Sequence, residues 1–230
     1  MPFFVIGQGN VGTALSSFFQ VSGIACEILE KVPENKNGII FLAVSDSAVK
    51  SLLEETLRKN PEVFAVHFSA ATHFENKRVF LLHPYSSINR KSELDQILFT
   101  LWGERNSLFE EMLKKTGLDF VWCGGNPDLP YHASAVMSGN FTQFFALQAL
   151  KLLLSSGFSK EVAEKLVRQL VRSSLDNVFQ NGINGITGPA ARGEKEVLSG
   201  EYNALRKENP EAAELFKAVN EAILKLSENK

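Results

Sequence analysis

The sequence predicts an α/β fold whose first half is a doubly wound parallel sheet and whose second half is all-α. Three observations support this prediction. Short apolar runs alternate with amphipathic helical stretches between residues 3 and 122. A glycine-rich turn follows the first apolar run, and from residue 131 onward the apolar residues recur at helical spacing. We therefore place a domain boundary near Pro130, which divides the chain into residues 1–130 and 131–230.

The first predicted strand is the apolar run Phe3 to Ile6, and a helix follows from Val11. Between them the glycines have the G-x-G-x-x-G spacing, which in a strand–turn–helix unit is typical of a Rossmann dinucleotide-binding domain. The first glycine permits the tight turn, the second lets backbone approach a pyrophosphate, and the third lets helix and strand pack closely. The helix N-terminus offers unpaired N–H groups to the phosphates. The predicted cofactor loop is Gly7, Gln8, Gly9, Asn10, Val11 and Gly12.

The second predicted strand, Ala25 to Leu29, ends at an acidic residue, Glu30. An acid about 20 residues beyond the glycines can bind the ribose hydroxyls of the cofactor. This favours NAD, because a carboxylate repels the 2′-phosphate of NADP, whereas the neighbouring Lys31 keeps NADP possible. The alternative is that Glu30 is a solvated residue at the end of a strand.

The run Ile39 to Val44 is continuously apolar, as expected for a central strand that is buried on both faces. The sequence Ser45-Asp46-Ser47 then caps a helix that extends to about Lys59. Ligands bind at the carboxyl ends of parallel strands, so Val44, Ser45 and Asp46 are predicted to border the cofactor.

Four further strands complete the predicted sheet: Val63–Phe68, Val79–His83, Gln96–Trp102 and Phe120–Trp122, with a helix over Glu104–Thr116. Two of these strands end in histidines, His67 and His83, which should border the cofactor site. Either side chain could act as an acid or a base near neutral pH.

The second half contains three predicted helices: Tyr131–Ser156, Ser159–Phe179 and a final helix that begins at Asn209-Pro210-Glu211. On the first of them His132, Gly139 and Gln143 share one stripe, with Asn140 a short rotation away. The functional interpretation is that this stripe faces a cleft between the domains, where a nicotinamide ring would meet substrate. The alternative is that these are polar side chains satisfied in a core or an interface.

The loop Gln180 to Gly193 contains four glycines together with Thr187 and Arg192. A guanidinium binds carboxylate or phosphate groups bidentately, so this loop could hold the anionic group of a substrate. The alternative is a structural loop in which Arg192 pairs with a local acid.

Composition and charge exclude several classes of function. The formal net charge of −2 argues against nucleic-acid binding as the main activity. No apolar run approaches the roughly 20 residues that a membrane span needs, and no signal peptide is visible. The two cysteines and four histidines lack metal-ligand spacing, so we expect a cytoplasmic protein without a metal.

Several motifs resemble those of the 6-phosphogluconate-dehydrogenase-like Rossmann proteins: the glycine fingerprint, Leu42 to Val49, and His67 to Ala70. Others are similar to a subgroup whose C-terminal helical domain has no known function, a distant relative of pyrroline-5-carboxylate reductase and of coenzyme-F420-linked NADP oxidoreductases. These are His83-Pro84, Tyr131 to Val136, Asn140-Phe141, and Thr187 to Gly193.

The resemblance implies a Rossmann domain followed by a helical domain that mediates dimerisation, with the active cleft between them. We therefore expect a homodimer, and the apolar faces of the C-terminal helices support it physically, although one subunit could also consume them.

The leading hypothesis is an NAD(P)-dependent oxidoreductase that acts on a small anionic metabolite. His83, His132 and Asn140 would be the catalytic residues on the substrate side, with His132 ahead of His83 as the proton donor, and Thr187 and Arg192 would contact the anion. An alternative is a sensor or scaffold that binds the dinucleotide without turnover. A third interpretation treats the glycine loop as the adenosylmethionine loop of a methyltransferase.

Overall fold

The computed structural model describes residues 2–227. The chain divides into two compact units, Met1–Asn140 and Phe141–Lys230. The division thus falls later than the predicted boundary near Pro130, which lies in the first turn of a helix that belongs to the first unit.

The first unit is built on a seven-stranded sheet in the order β2-β1-β3-β4-β5-β6-β7. The strands are β1 Phe3–Ile6, β2 Cys26–Leu29, β3 Asn37–Leu42, β4 Glu62–His67, β5 Val79–Pro84, β6 Leu98–Trp102 and β7 Asp119–Trp122. The first five are parallel, whereas β6 runs antiparallel to β5 and parallel to β7.

The doubly wound sheet is confirmed, with the reversal at β6 as a difference from an all-parallel arrangement. A parallel return needs a crossover, usually through a helix. The link between β5 and β6 contains only one 3₁₀ turn, Leu94–Gln96, and therefore leads into an antiparallel strand.

Helices cover both faces of the sheet. The first unit contains α1 Asn10–Val21, α2 Asp46–Lys59, α3 Ser107–Lys114 and α4 Leu129–Val136. On one face α1 and α3 pack against the sheet, and the ring of Phe109 in α3 stacks on that of Phe80 in β5 at 3.7 Å between centroids. On the other face Val49 and Leu53 of α2 pack against β1, β3 and β4. Because both faces of the sheet are buried, the strand ends that carry the candidate site are held in place.

The second unit is helical. It contains α5 Thr142–Ser155, α6 Lys160–Asn181, α7 Lys195–Glu208 and α8 Pro210–Ser227. Within this unit α5 packs on α6, and α7 packs on α8. Ser159 caps α6 as predicted, because its side chain accepts a hydrogen bond from the N–H of Val162. Helix α7 is an addition to the sequence prediction; Gly200 in its interior and its many charged residues weaken the helical signal.

The helix predicted over Tyr131–Ser156 is interrupted. Between α4 and α5 the segment Met137–Phe141 is π-helical, with a wider turn than an α-helix. The predicted stripe of His132, Gly139 and Gln143 assumes an uninterrupted period of 3.6 residues, and the π-helical segment breaks that period. Asn140 lies inside this segment, a type of insertion that is frequent at functional sites.

Candidate functional site

The turn between β1 and α1 is closed by two glycines that cannot carry a side chain. Gly7 has a φ of 111°, and a Cβ atom there would lie 2.1 Å from the carbonyl oxygen of Ala43. A Cβ atom at Gly12 would lie 2.1 Å from the carbonyl oxygen of Gly7. The two glycines therefore bring the end of β1, the first turn of α1 and the segment after β3 into direct contact.

Gly9 lies between them and faces open space. It is the N-cap of α1 with a φ of −72°, and a Cβ atom there would meet no atom within 4 Å. No side chain caps this helix end, and its first turn contains no acidic residue. The neighbouring Gln8 and Asn10 are exposed, and Val11 is half-buried. The free N–H groups and the space at Gly9 fit the pyrophosphate of a dinucleotide.

The remaining predicted cofactor residues follow strands that neighbour β1. Ile6, the last residue of β1, is level with Leu29 of β2 on one side and with Leu42 of β3 on the other. Glu30, directly after β2, is exposed. The three strand ends therefore share one edge of the sheet, at the point where the strand order changes direction, which is where doubly wound sheets bind ligands.

The segment after β3 supplies the other residues of this edge. Val44 is half-buried, and its Cγ1 atom would lie 3.2 Å from a Cβ atom built on Gly7. Ser45 is the N-cap of α2, and the following Asp46 is exposed in the first turn. The segment Val44 to Asp46 therefore begins directly beside the glycine turn.

Two histidines end the neighbouring strands. His67, at the end of β4, is only 2% exposed, and its Nδ1 atom has no hydrogen-bond partner within residues 2–227. Burial lowers the pKa of His67 to about 4. Burial likewise lowers the pKa of His83 to about 4; the charge of His132 also lowers it, and the charge of Asp46 opposes the shift. Both imidazoles are therefore neutral near pH 7.

His83 belongs to a hydrogen-bonded cluster that the sequence analysis did not identify. Its Nδ1 atom lies 2.6 Å from the hydroxyl oxygen of Tyr131. The Tyr131 hydroxyl also lies 2.6 Å from Oγ1 of Thr100, which accepts a hydrogen bond from the indole N–H of Trp102 at 2.9 Å. We call these four residues, Trp102, Thr100, Tyr131 and His83, the Tyr131 cluster.

Local structure explains why the cluster forms. The antiparallel register of β5 and β6 pairs His83 with Thr100. Asp128 caps α4 by accepting a hydrogen bond from the backbone N–H of Tyr131 at 2.9 Å, which holds Tyr131 in the first turn. The Tyr131 ring meets the Trp102 ring edge to face at 5.0 Å between centroids. The sequence signals for the cluster are His83 itself and the Tyr-His-Ala motif, in which the sequence favours His132 and not Tyr131 for the functional role.

The other predicted catalytic residues are exposed. His132 follows Tyr131 on α4, and Asn140 lies in the π-helical segment. Both His132 and His83 belong to the first unit, and His132 directly follows Tyr131, whose hydroxyl contacts His83.

The predicted anion-binding residues belong to the second unit. Arg192 donates two hydrogen bonds to Glu194, from Nε at 2.7 Å and from Nη2 at 3.0 Å. This is the local ion pair that the sequence left open as the alternative for Arg192. Thr187 is exposed in the same loop. A substrate carboxylate would have to share the Arg192 guanidinium with Glu194 or displace it.

Residues 2–227 contain no group of three histidine, cysteine, aspartate or glutamate side chains arranged to hold a metal ion. None of the helices described is both long and apolar enough to cross a bilayer.

Comparison with protein families adds one match. The sequence profile of the domain of unknown function DUF2520 matches residues 97–223, from the residue before β6 into α8. The chain belongs to the DUF2520 family. The matched region contains Thr100, Trp102 and Tyr131, whereas the glycine turn and His83 lie before it. A comparison with curated protein sequences finds no match.

Solved structures with the same fold cover nearly the whole chain. A candidate NADP oxidoreductase from Bacteroides fragilis is 19% identical with a TM-score of 0.78, over 97% of this chain and 98% of the other. A reductive aminase from Aspergillus terreus, in complex with NADPH and ethyl levulinate, is 15% identical with a TM-score of 0.67, over 97% and 93%. Pyrroline carboxylate reductase from Plasmodium falciparum, with NADP bound, is 14% identical with a TM-score of 0.62, over 99% and 98%.

At these identities the similarity establishes the fold: a Rossmann sheet followed by a helical C-terminal region. The predicted resemblance to a group with a C-terminal domain of unknown function is confirmed by the family match, and pyrroline carboxylate reductase shares the fold. The predicted fold class is confirmed as well.

Proposed function

We propose that the chain is an NAD(P)-dependent oxidoreductase that acts on a small anionic metabolite. The observation that carries the proposal is the β1–α1 turn, in which Gly7 and Gly12 close the backbone while Gly9 leaves room in front of a free helix N-terminus. The NADP and NADPH complexes of structures with this fold support the same cofactor class.

In this proposal each residue of the edge has a separate task. The residues Gly7 to Gly12 would hold the pyrophosphate, Glu30 the adenosine ribose, and Val44, Ser45 and Asp46 would border the cofactor. The bound nicotinamide would supply or accept the hydride. His83, His132 and Asn140 would contact the substrate, with His132 as the proton donor, because its ring is exposed whereas His83 is held neutral by burial.

Gly9 allows a direct test of dinucleotide binding. A side chain fits at Gly9 without a clash and at an ordinary φ, so Gly9→Val should fold normally while filling the space where the pyrophosphate would lie. We expect the affinity for NADH and NADPH to fall at least about tenfold, which corresponds to about 1.4 kcal/mol. Thermal-shift titration with NADH, NADPH and adenosylmethionine on both proteins measures this effect.

Gly12→Ala is the matched control for folding. Its Cβ atom would meet the Gly7 carbonyl, so we expect the melting temperature to fall with no ligand present, a loss of about 1–3 kcal/mol. If adenosylmethionine stabilises the wild-type protein and neither dinucleotide does, the result would support the methyltransferase interpretation. Equal dinucleotide affinities in wild type and Gly9→Val would remove the glycine turn from the site.

Binding without turnover is the second candidate function. Its support is the neutral state of His67 and His83, because neither of the histidines that end the strands can donate a proton as an imidazolium near pH 7. A panel of small hydroxy, keto and amino acids, tested in both redox directions with the cofactor that binds, separates the two candidates. Tight binding with no turnover of any acid in the panel would favour a sensor or scaffold.

We also propose that the chain forms a homodimer through its second unit. Large apolar side chains on α5 and α6 are exposed, among them Leu147 at 51%, Leu170 at 68% and Phe179 at 83%. Apolar areas of this kind usually mark an interaction surface. A second copy would cover them with the same apolar chemistry.

A further inference from the structure

The Tyr131 cluster restricts where its protons lie. Four polar contacts connect it: Trp102 to Thr100, Thr100 to Tyr131, Tyr131 to His83 Nδ1, and Thr100 back to the carbonyl oxygen of His83 at 3.3 Å. An indole N–H can only donate, and each hydroxyl has a single proton to donate. The four contacts can therefore all be hydrogen bonds only in certain proton arrangements.

Counting donors selects one arrangement. Trp102 donates to Thr100, and Thr100 uses its only proton on the His83 carbonyl. Tyr131 must then donate to Thr100, whose oxygen accepts two hydrogen bonds. The remaining contact at 2.6 Å is a hydrogen bond only if His83 Nδ1 carries the proton and donates it to the Tyr131 oxygen. In the reverse arrangement, with Tyr131 donating to Nδ1, the bond from Thr100 to the carbonyl is lost.

We propose that the Tyr131 cluster holds His83 as the neutral Nδ1–H tautomer, so that its Nε2 lone pair accepts a hydrogen bond from an N–H or O–H group of the substrate. Tyr131 is then a positioning residue that acts through His83. The inference rests on the proposed function for the substrate, but the tautomer itself depends only on the cluster.

The proposal narrows the role of His83, which the sequence left open between an acid and a base. A neutral imidazole with its proton on Nδ1 offers no proton at Nε2, so His83 orients a donor group and does not protonate the substrate. Burial keeps His83 in this state, because it lowers the pKa to about 4, and burial also raises the pKa of the Tyr131 hydroxyl above its ordinary value. A substrate with an amine, an imine N–H or a hydroxyl suits this acceptor.

Histidine ¹⁵N resonances test the tautomer directly in the full-length protein without cofactor. Two-bond ¹H–¹⁵N correlation spectra distinguish a protonated ring nitrogen from one with a lone pair, and His83→Gln assigns the His83 signals. We expect a protonated Nδ1 and a bare Nε2 in the wild type, and a mixture of both tautomers in Tyr131→Phe. A bare Nδ1 in the wild type, or an unchanged tautomer in Tyr131→Phe, would overturn the proposal.

Tyr85→Phe is the matched control. The Tyr85 hydroxyl contacts Ser134 at 2.8 Å and the Tyr85 ring lies 5.8 Å from the Tyr131 ring, but Tyr85 is outside the cluster. We expect this variant to keep the wild-type tautomer. Loss of the single tautomer in both variants would mean that general packing, and not the Tyr131 hydroxyl, sets it.

A pair of probes tests the acceptor role at Nε2. Glycolate and acetate have the same charge and differ by one hydroxyl donor. With NADPH present, we expect glycolate to shift the His83 Nε2 resonance more than acetate does, and an equal effect would count against the acceptor role. Failure of both NADH and NADPH to bind appears separately in the thermal-shift titration, so it would refute the proposed function while leaving the tautomer result intact.

Discussion

At the scale of single residues, the burial of His67 makes the free energy of unfolding depend on pH. It is the last residue of β4 and is only 2% exposed, and burial lowers its pKa to about 4. A proton on this ring would put a charge into the interior of the first unit, whereas the unfolded chain binds that proton near pH 6.5. Between these two values the unfolded state binds more protons, so stability falls as the pH falls.

We expect the free energy of unfolding to drop by roughly 1.5 kcal/mol between pH 6.5 and pH 5 from His67 alone. Urea unfolding at several pH values above the range of the carboxylates measures this slope. His67→Gln should reduce the histidine part of this slope by about half, even if the variant is less stable at every pH, because His83, whose pKa burial also lowers to about 4, contributes a slope of the same size. His73→Gln is the control, because His73 is exposed and should keep the wild-type slope. A wild-type stability that is constant over this range would contradict the prediction.

Substitution of Glu30 tests whether the protein prefers NADH or NADPH. The relatives with bound cofactor hold NADP or NADPH, so the predicted preference for NAD has no support from them. If Glu30 contacts the ribose, Glu30→Ser should raise the affinity for NADPH relative to NADH by about tenfold, or about 1.4 kcal/mol, because the carboxylate no longer repels the 2′-phosphate. Titration of both nucleotides measures the ratio.

Glu27→Ser is the control, since Glu27 is an exposed acid on the same strand but not at its end. It should leave the NADPH to NADH ratio unchanged. The same ratio in wild type and Glu30→Ser would assign Glu30 to the solvated surface, the alternative that the sequence left open.

The sequence predicts which residues meet at this edge of the sheet because that information is local. Gly7, Gly9 and Gly12 have their roles within one strand–turn–helix unit, and Glu30 follows the next strand directly. The Tyr131 cluster depends instead on the antiparallel register that sets Thr100 opposite His83. Nothing in the order of residues along the chain reveals that register, so Thr100 and Trp102 could not be assigned in advance.

At the scale of elements, the start of α4 determines where Tyr131 lies. Asp128 accepts a hydrogen bond from the Tyr131 N–H, and Pro130 occupies the first turn, where its missing N–H costs nothing. The helix buries none of its own residues, so the contacts of Tyr131 and the hydrogen bond between Ser134 and Tyr85 connect it to the rest of the first unit.

We therefore expect Asp128→Ala to cost about 1 kcal/mol of stability, the usual cost of removing an N-cap side chain. Because the cap holds Tyr131, the variant should also show faster hydrogen exchange at the Tyr131 amide and a mixed His83 tautomer. Asp128→Asn can still accept the hydrogen bond and should behave as the wild type does. Equal exchange rates in Asp128→Ala and Asp128→Asn would show that the cap does not fix Tyr131.

The long helix shows the limit of periodic reasoning at this scale. Its apolar pattern correctly predicts helical structure from about residue 131 to 155, and the ends of α5 and α6 agree with the prediction closely. The π-helical turn at Met137–Phe141 is a local change of hydrogen-bond pattern that hydrophobic spacing does not encode. Arguments that place two residues on one face of this helix therefore hold only on one side of the turn.

At the scale of the whole molecule, the two units differ in how much they bury. The first has apolar clusters on both faces of its sheet. In the second, α5 and α7 bury none of their residues, and α6 buries only Ala163 and Val167. The sequence predicts the apolar helix faces but not whether they are buried within one subunit. The exposed leucines and phenylalanines of α5 and α6 argue that one subunit does not bury these faces fully.

The mass of the protein in solution tests whether a second copy covers these apolar faces. If a second copy covers α6, the wild type should have twice the chain mass of 25.5 kDa, and a variant with Leu166→Glu and Leu170→Glu should have the mass of one chain. The two side chains are one helical turn apart on the same face and are exposed at 43% and 68%, so the glutamates cost little within a single chain but would carry charge into the contact. Light scattering after size exclusion measures the mass, and circular dichroism verifies the helices.

Lys165→Glu, a charge change at an exposed site of α6 away from Leu170, should remain dimeric. A wild type that stays monomeric at micromolar concentration would assign the apolar face to another partner.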